Sequence, residues 1–400
     1  MKKVFLSILI VLISLVAIFA GFAVANKFNE QAMYEYIDSF AKVEIENQLK
    51  PQLDDDGVPY FVTDGDFKVM QLTDVHICGG ILSVEKDKKA INAVAAMITA
   101  EKPDLVIVTG DISFAVPWAG TLNNSYAHNM FKRLMENLGV YWTVTLGNHD
   151  SEVYNFYDRA AVADMYEDDE LEYCLFSRGP EDIFGECNHI INLRQSDGLI
   201  TKSFIMMDSN SYTDEDPLGI KWIYDNIHED QVNWYKAQIE KLNQHNSALG
   251  SSQTVESLLF IHIPLLEVRD AYNEYLDAGE KDTDNVKHLF GEIGESDPYV
   301  FPSEDPSEMF NAILELGSTK AIFFGHDHLN NMMMDYKGVA LCYGYSIDYF
   351  AYAGIDKIGS QRGCTVINCR SGGVIEVLHE NYYQDKYTPL YEKEVVNLDN

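Results

Sequence analysis

The sequence has few basic residues for its length and contains no cysteines at metal-binding spacing. Its 400 residues include 29 Lys and Arg against 63 Asp and Glu, so the formal net charge is −34. Nucleic-acid backbones and anionic lipid head groups are bound by basic surfaces, and neither is expected as a partner. The 6 cysteines are scattered without a C-x-x-C pair, which excludes zinc-ribbon and thioredoxin-type sites. Two alternatives stay open for the cysteines: disulfide bridges such as Cys174–Cys187 or Cys364–Cys369, or packing as buried thiols.

Several catalytic motifs and organisational features are also missing. The chain has no Walker loop, no G-x-G-x-x-G and no G-x-S-x-G, which argues against P-loop, dinucleotide-binding and nucleophile-elbow chemistry. It has no internal repeat and no low-complexity segment. Hydrophobic residues make up 46% of the chain, enough for a large core in one large domain or two ordinary ones.

The N-terminus is the one long hydrophobic run. Lys2 and Lys3 precede an apolar stretch at 4–24, which is long enough to span a bilayer. Small residues at 23–25 also offer a cleavage site, so residues 1–25 are either a secretory signal peptide or an N-terminal membrane anchor. Both interpretations place the rest of the chain outside the cytoplasm, secreted or anchored. Contact with a membrane is then expected only through this segment, if it is not cleaved.

The rest of the chain divides by composition. Residues 26–65 are polar and predict a helix and a linker, whereas residues 66–385 read as one α/β domain and 386–400 as a tail. In the domain, apolar strands alternate with amphipathic helices, a pattern typical of βαβ units with helices covering the faces of a sheet. The acidic, turn-rich stretch 267–304 predicts a long insertion, and "YCLFSRG" at 173–179 predicts a strand.

Five apolar segments end in polar residues of a narrow type. Ligands of open α/β sheets bind beyond the carboxyl ends of the strands, so these ends are expected to converge on one site. The set contains oxygen and imidazole ligands without a thiolate, which suits zinc, iron or manganese. It exceeds what one tetrahedral ion takes and predicts two divalent or trivalent ions bridged by a carboxylate. The candidate ligands are Asp74, His76, Asp111, Asn148, His262, His326 and His328.

The order of these motifs, D-x-H, G-D, G-N-H-D, H-x-P and G-H-x-H, resembles that of the calcineurin-like metallophosphoesterases. The resemblance covers about 66–380. The segments "LFIHIPLLE", "GHDHLN" and "MMDSNSY…QVNWY" are similar to the branch of plant purple-acid-phosphatase-like proteins and related fungal phosphatases. It implies a four-layered α/β/β/α sandwich of two mixed sheets flanked by helices, with the metal site at the carboxyl ends of the strands.

The resemblance also implies a role for each residue. One metal would be held by Asp74, His76, Asp111 and His328, and the other by Asp111, Asn148, His262 and His326, so that Asp111 bridges the two. His149 would face the substrate and not the metals. One position departs from true purple acid phosphatases, because Phe114 stands where their tyrosine ligand would be and His76 is present where they lack a histidine.

The implied activity is hydrolysis of a phosphate ester by in-line attack of a metal-bound hydroxide, with His149 donating a hydrogen bond or a proton. A metal pair would also give the acidic protein a local positive site for an anionic substrate. Phosphomonoesters and phosphodiesters are not distinguished. The alternative is a non-catalytic, metal-bearing module that binds a phosphorylated ligand. Asp150 and Asp327 are interpreted as residues that orient histidines, or as turn residues.

Overall fold

Two β-sheets and the helices on their outer faces make up the chain in the computed structural model, which describes residues 2–297, 299–355, 362–379 and 381–390. The helices are α1 (Lys2–Asp38), α2 (Val84–Glu101), α3 (Ser125–Leu138), α4 (Arg159–Tyr166), α5 (Glu229–Ala248), α6 (Leu266–Asp277), α7 (Met309–Leu316) and α8 (Tyr383–Lys386). The strands are β1 (Gln52–Leu53), β2 (Pro59–Val62), β3 (Phe67–Leu72), β4 (Leu105–Thr109), β5 (Trp142–Thr145), β6 (His189–Arg194), β7 (Ile200–Met206), β8 (Glu256–Phe260), β9 (Val286–Phe290), β10 (Thr319–Phe324), β11 (Met333–Tyr336), β12 (Val339–Tyr343), β13 (Thr365–Cys369) and β14 (Ile375–Leu378).

The smaller sheet has the strand order β14-β13-β3-β4-β5. Strands β3, β4 and β5 are parallel because α2 and α3 return the chain to the same end of the sheet after each strand. Both helices end where the backbone turns left-handed, at Lys102 just before Pro103 and at Gly139. The carboxyl ends of β3, β4 and β5 therefore lie at one edge.

The larger sheet has the strand order β1-β2-β6-β7-β8-β10-β12-β11-β9. Its centre, from β7 to β12, is parallel, whereas β11 and β9 extend it as antiparallel strands. Strands β8 and β10 thus bring the chain to the same edge of this sheet just before His262 and His326. The C-terminal part of the domain forms the hairpins β11–β12 and β13–β14.

Side chains alternate between two apolar cores along the central strands. In β8, Leu258 and Phe260 face the core between the sheets, whereas Leu259 faces the outer helices. Phe67 of the smaller sheet stacks on Phe204 of the larger one with ring centroids 5.8 Å apart. Helices α2 and α3 cover the smaller sheet, and α5 and α7 cover the larger one. The predicted fold class, a four-layered α/β/β/α sandwich, is confirmed.

The segment 26–65 contains the predicted helix, but two strands lie where a linker is expected. Helix α1 continues to Asp38, and its residues Met33 and Ile37 are buried in the core shared with α3. After it, β1 and β2 add to the edge of the larger sheet, where β2 pairs with β6. These strands were not predicted because β1 is exposed and β2 is only half-buried, so neither has the apolar pattern of a core strand. Among the residues described, no helix is both long and apolar enough to cross a membrane.

The region 267–304, predicted as a long insertion, contains most of α6 and the edge strand β9. The segment 173–179 forms no strand, and only Cys174 makes an isolated bridge, to Trp142. All six cysteines are free thiols, so neither open disulfide is present. Five of them are buried and pack as small apolar side chains.

Candidate metal centre

The loops that follow β3, β4, β5, β8 and β10 meet where the two sheets approach each other. The amide of Asp74 donates to Gly110 O at 3.1 Å, which joins the first two loops. The amide of Gly325 donates to His262 O at 3.1 Å, which joins the two loops of the larger sheet. The seven side chains selected from the sequence therefore lie in one buried place, although they are up to 254 positions apart.

Four of the candidate ligands have an unusual backbone conformation. Asp74, His76, Asp111 and His326 all have positive φ, between 50° and 77°. This region favours glycine, and each such residue costs about 1–3 kcal/mol unless its surroundings hold it there. Backbone strain of this kind concentrates at functional sites, so its presence at four neighbouring positions supports a functional role for the cluster.

Two glycines are required by close approach of the chain. A Cβ on Gly147 would lie 2.1 Å from Asp111 Oδ1, and one on Gly325 would lie 2.4 Å from Asp74 Oδ2. Neither distance is compatible with a side chain. A side chain at either position would overlap the aspartate carboxylate beside it, so both positions need glycine.

The first group of potential ligands consists of Asp74, His76, Asp111 and His328, with one atom from each within 4.8 Å of the others. His76 Nε2 lies 3.3 Å from Asp111 Oδ2, and His328 Nε2 lies 3.4 Å from Asp74 Oδ1. All four residues are buried. The imidazoles therefore present Nε2 to the carboxylates, at distances that a shared cation would bridge.

The second group consists of Asp111, His262 and His326, again within 4.8 Å. His262 Nε2 lies 3.2 Å from Asp111 Oδ2 and 3.2 Å from Asn148 Oδ1. The other ring nitrogen of His262, Nδ1, is 2.8 Å from Thr109 O, so that it carries the proton and leaves the Nε2 lone pair free. Asp111 belongs to both groups, which is the arrangement expected of a bridging carboxylate.

The carboxylates and histidines of the cluster change each other's pKa values. Burial alone would raise the pKa of the Asp111 carboxyl, but the neighbouring His262 and His149 outweigh it and hold that pKa well below its usual range. In return, although burial opposes it, Asp111 raises the pKa of His262 to about 9. The charged forms of Asp111 and His262 thus stabilise each other, as a bound cation would stabilise the carboxylate. Oxygen and imidazole donors without thiolate fit a pair of zinc, iron or manganese ions.

His149 lies beside the ligand groups and not within them. Its Nδ1 is 2.6 Å from Glu152 Oε1, and its ring lines a cavity together with His326 and His328. Asn148 Nδ2 donates to Tyr212 Oη at 2.9 Å, which turns Oδ1 of the amide towards His262. Sequence reasoning assigned no role to Glu152 or to Tyr212, although Tyr212 ends the quoted segment "MMDSNSY", because neither belongs to a ligand motif.

Asp348 is the main functional residue that sequence reasoning missed. It follows β12, is fully buried, and lies 3.3 Å from His328 Nδ1 and 3.8 Å from His76 Nδ1. Those two nitrogens have no hydrogen-bond partner among the residues described. The amides of Phe350 and Ala351 donate to the carboxylate and fix its direction. Asp348 is placed to orient two histidines of the same ligand group.

Asp150 and Asp327 do not orient histidine ligands, contrary to one of the two interpretations offered above. Asp150 accepts from the amides of Asp111 at 3.0 Å, Gly147 at 2.8 Å and Ser113 at 2.9 Å, and so holds the β4 and β5 loops together. Asp327 accepts from Tyr343 Oη at 2.5 Å, and burial raises its pKa to about 7. Both carboxylates support loop backbone and packing.

Phe114 contacts the site without offering a ligand atom. Its ring stacks on His76 with centroids 5.0 Å apart and an interplanar angle of 19°, and it meets the edge of His149 at 4.9 Å. The position that departs from purple acid phosphatases is therefore an apolar support for two histidines.

We predict that Asp348→Asn weakens metal binding while the fold is retained. Loss of the charge removes the carboxylate that both Nδ1 atoms face, and carboxylates that orient ligand histidines are commonly worth about 10–100-fold in metal affinity. Titration calorimetry of the metal-free full chain with Mn²⁺ or Zn²⁺ measures the effect, and circular dichroism controls for folding. Unchanged affinity for both ions would show that Asp348 does not position the histidines.

We predict that Gly325→Ala reduces the metal content of the purified protein, because the new methyl group must displace Asp74 or Thr73. Gly372→Ala is the matched control, since a Cβ there meets nothing within 4 Å. Elemental analysis of both variants gives the metal stoichiometry. Equal stoichiometry in the two variants would contradict the close approach described here.

The chain is similar to several known proteins. The chain is 26% identical to "Probable inactive purple acid phosphatase 14" of Arabidopsis thaliana over 339 residues, covering 78% of this chain and 77% of the relative. It is 24% identical to "Phosphatase DCR2" of Saccharomyces cerevisiae over 306 residues, covering 70% and 48%. The solved structure of "a dimetal phosphatase" from Danio rerio covers 79% of this chain and 99% of its own, at 12% identity and a TM-score of 0.45.

The family comparison covers the part of the chain that carries the site. The calcineurin-like phosphoesterase family model matches residues 67–330, which include the candidate ligands and His149. The family and branch predicted from the motifs are confirmed. The chain belongs to the calcineurin-like phosphoesterase family.

Proposed function

We propose that the chain is an enzyme of the exported or membrane-anchored kind that hydrolyses phosphate esters with the help of two metal ions. The observation that carries the proposal is the pair of buried ligand groups that share Asp111. Membership of a phosphoesterase family supports the reaction class. Whether the substrate is a monoester or a diester is left open by this observation, since both are compatible with it.

Each metal would be held by side chains already in place. One metal would be held by Asp74, His76, Asp111 and His328, and the other by Asp111, Asn148, His262 and His326. The two sites form a pair because they share Asp111. Bound zinc, iron or manganese ions would supply Lewis-acid chemistry and acidify water near the ester phosphorus.

His149 is the residue proposed to act on the substrate. Glu152 Oε1 holds its Nδ1 at 2.6 Å, which fixes the ring and leaves Nε2 for another partner. Burial opposes protonation of His149, but Asp111 and Glu152 outweigh it and raise its pKa above the ordinary value. An imidazole held in this way can donate from Nε2 to a phosphoryl oxygen or give its proton to the departing alcohol.

The rival function is a metal-bearing module without catalytic activity that binds a phosphorylated ligand. The word "inactive" in the name of the Arabidopsis thaliana relative favours it. Against it, both ligand groups and His149 are present here in full, and a binding module has no need for a strained, buried donor set. Hydrolysis therefore accounts for more of the observed residues than binding alone.

We expect His149→Ala to bind metal normally but to hydrolyse a generic aryl phosphate about 10²–10⁴-fold more slowly, the usual scale for proton transfer by a side chain. Asp111→Asn should lose metal and activity together, because the substitution removes the shared charge while keeping the shape. Elemental analysis and release of the phenol measure the two effects. A chelator should abolish activity, and activity that survives it, or that Asp111→Asn retains with two ions, contradicts the proposal.

We propose also that the domain lies outside the cytoplasm. The support is the basic start and apolar run within residues 1–25, whose apolar side chains such as Phe5 and Ile13 are exposed on α1. Exposed apolar surface of this extent calls for a membrane or for removal by cleavage.

Protease added to intact cells that produce the full chain should therefore degrade the domain while a cytoplasmic protein survives. The mass of the mature protein then separates a cleaved signal peptide from a retained anchor. Resistance of the domain until the cells are lysed would place it in the cytoplasm and overturn this proposal.

A further inference from the structure

A cavity of about 510 Å³ opens directly onto the candidate metal centre. His149, His326 and His328 form part of its wall, so a phosphate bound at the metals would place its alcohol group in this space. Much of the remaining wall is aromatic, and its principal rings are those of Phe114, Trp118, Tyr154, Trp222, Phe301 and Tyr352. The cavity therefore offers ring faces to whatever the phosphate is attached to.

The rings extend from the ligand histidines to the mouth of the cavity. Phe114 contacts both His149 and Trp118, with centroids 4.9 Å and 6.2 Å away. Trp222 packs against Phe301 at 6.0 Å with an interplanar angle of 89°. Two tryptophans thus stand at the outer part of the cavity, 60% and 59% exposed, where apolar side chains would ordinarily be buried.

The backbone holds one of these tryptophans in place. Trp222 has φ of 59°, a conformation that a bulky residue adopts only when the surroundings impose it. The surroundings here are the carboxylate of Asp216, which accepts from the amides of Ile220 and Lys221, and the bridge between Tyr212 and Tyr224 that closes the loop. A strained, exposed tryptophan at a cavity mouth indicates a recognition role.

Apart from its histidines and tyrosines, the titratable side chains of the cavity wall are carboxylic acids. Glu152, Glu295, Asp297 and Asp327 line it, and none of the described residues in its wall is Lys or Arg. Glu152 is only 6% exposed, and its Oε2 atom has no hydrogen-bond partner within the part of the chain that the structure describes. A buried carboxylate oxygen of this kind calls for a donor from a ligand.

Resting on the proposed phosphoesterase function, we infer that the substrate is a phosphate ester whose alcohol carries a positively charged ammonium group, as in esters of amino alcohols and choline. Aromatic faces attract such cations, and ring cages are their common binding sites. The carboxylates add attraction for the ammonium and repel a second anionic group. The substrate would be held at both ends by opposite charge, its phosphate at the metal centre and its ammonium in the cavity.

The reaction on such a substrate balances with water alone. The P–O bond to the alcohol breaks, water forms the new P–O bond, and one proton passes to the departing alcohol oxygen. The products from a monoester are inorganic phosphate and the free amino alcohol, and no oxidant or cofactor is consumed.

The decisive comparison uses phosphocholine and its neutral isostere, in which a quaternary carbon replaces the nitrogen. The two have the same shape and differ only in the cation. We expect the metal-loaded full chain to hydrolyse phosphocholine with kcat/KM at least about 3-fold higher, the scale of a cation held against rings that stay partly exposed. Adenosine monophosphate, whose alcohol part is aromatic but not cationic, should also be a poorer substrate. Equal values for the two isosteres would overturn the inference.

Variants of the mouth test which groups recognise the cation. Trp222→Leu should remove most of the preference for phosphocholine over its isostere, whereas Trp222→Phe, which keeps a ring face, should retain most of it. Asp297→Asn should reduce the preference, and Asp277→Asn, on an exposed acid outside the cavity, should leave it unchanged. A preference that is unaffected by both Trp222→Leu and Asp297→Asn would place the recognition elsewhere and contradict the assignment.

Two further arms separate the sources of the ligand and the causes of failure. Glycerophosphocholine and phosphatidylcholine vesicles, assayed beside phosphocholine, distinguish a soluble ester from a lipid head group. If an aryl phosphate is hydrolysed without any preference for the cation, this inference fails and the proposed function stands. If no ester is hydrolysed, the proposed function fails. The inference is then tested separately by measuring the binding of phosphocholine and of its isostere by calorimetry. Equal affinities for the two would overturn it.

Discussion

The structure depends on one electrostatic constraint, the burial of two aspartates side by side among histidines at the ends of five strands. Asp74 and Asp111 are fully buried, and an uncompensated carboxylate in such a place would be severely destabilising. The glycines at 147 and 325 exist to make room for these carboxylates, and the loops are strained where they present them. Histidine protons can balance the charge, but two metal ions balance it while also using the free Nε2 atoms. The surrounding scaffold is best understood as support for that pairing.

The support comes from other elements of the fold. Arg159 of α4 forms an ion pair with Asp208 after β7 and donates to the carbonyls of Gly147 at 2.8 Å and Leu146 at 2.9 Å. The loop that carries Asn148 and His149 is therefore anchored to the larger sheet by a guanidinium that is only 17% exposed. Burial would lower the pKa of Arg159, but Asp208 outweighs it and keeps the group charged. A site that joins two sheets in this way couples its geometry to their packing.

What the sequence predicted, and what it did not, follows from the range of the interactions. The ligand motifs lie within a few residues of a strand end, so Asp74 or His326 could be recognised together with the apolar run before it. Asp348 follows a strand too, but in "YSIDYF" it lacks a glycine or histidine neighbour, and its role appears only when the chain brings it back to His76 and His328 from beyond the family match. Strand β2 was missed for a related reason, since its partner β6 is remote in sequence and its own residues are only half-buried.

The strongly acidic surface and the acidic cavity have a common physical consequence. A protein with net charge −34 repels phosphate at long range, and only the short-range field of bound metals can reverse this at the site. A substrate that carries its own cation lowers the cost of approach, because its ammonium is attracted while its phosphate is repelled. Since the same carboxylates that repel polyanions line the cavity, selection by charge begins before the ester reaches the metals. The aromatic side chains contact only ligands that have already entered the cavity. The sign of the charge on the alcohol group, and not its size, would therefore be the first property by which this site selects a substrate.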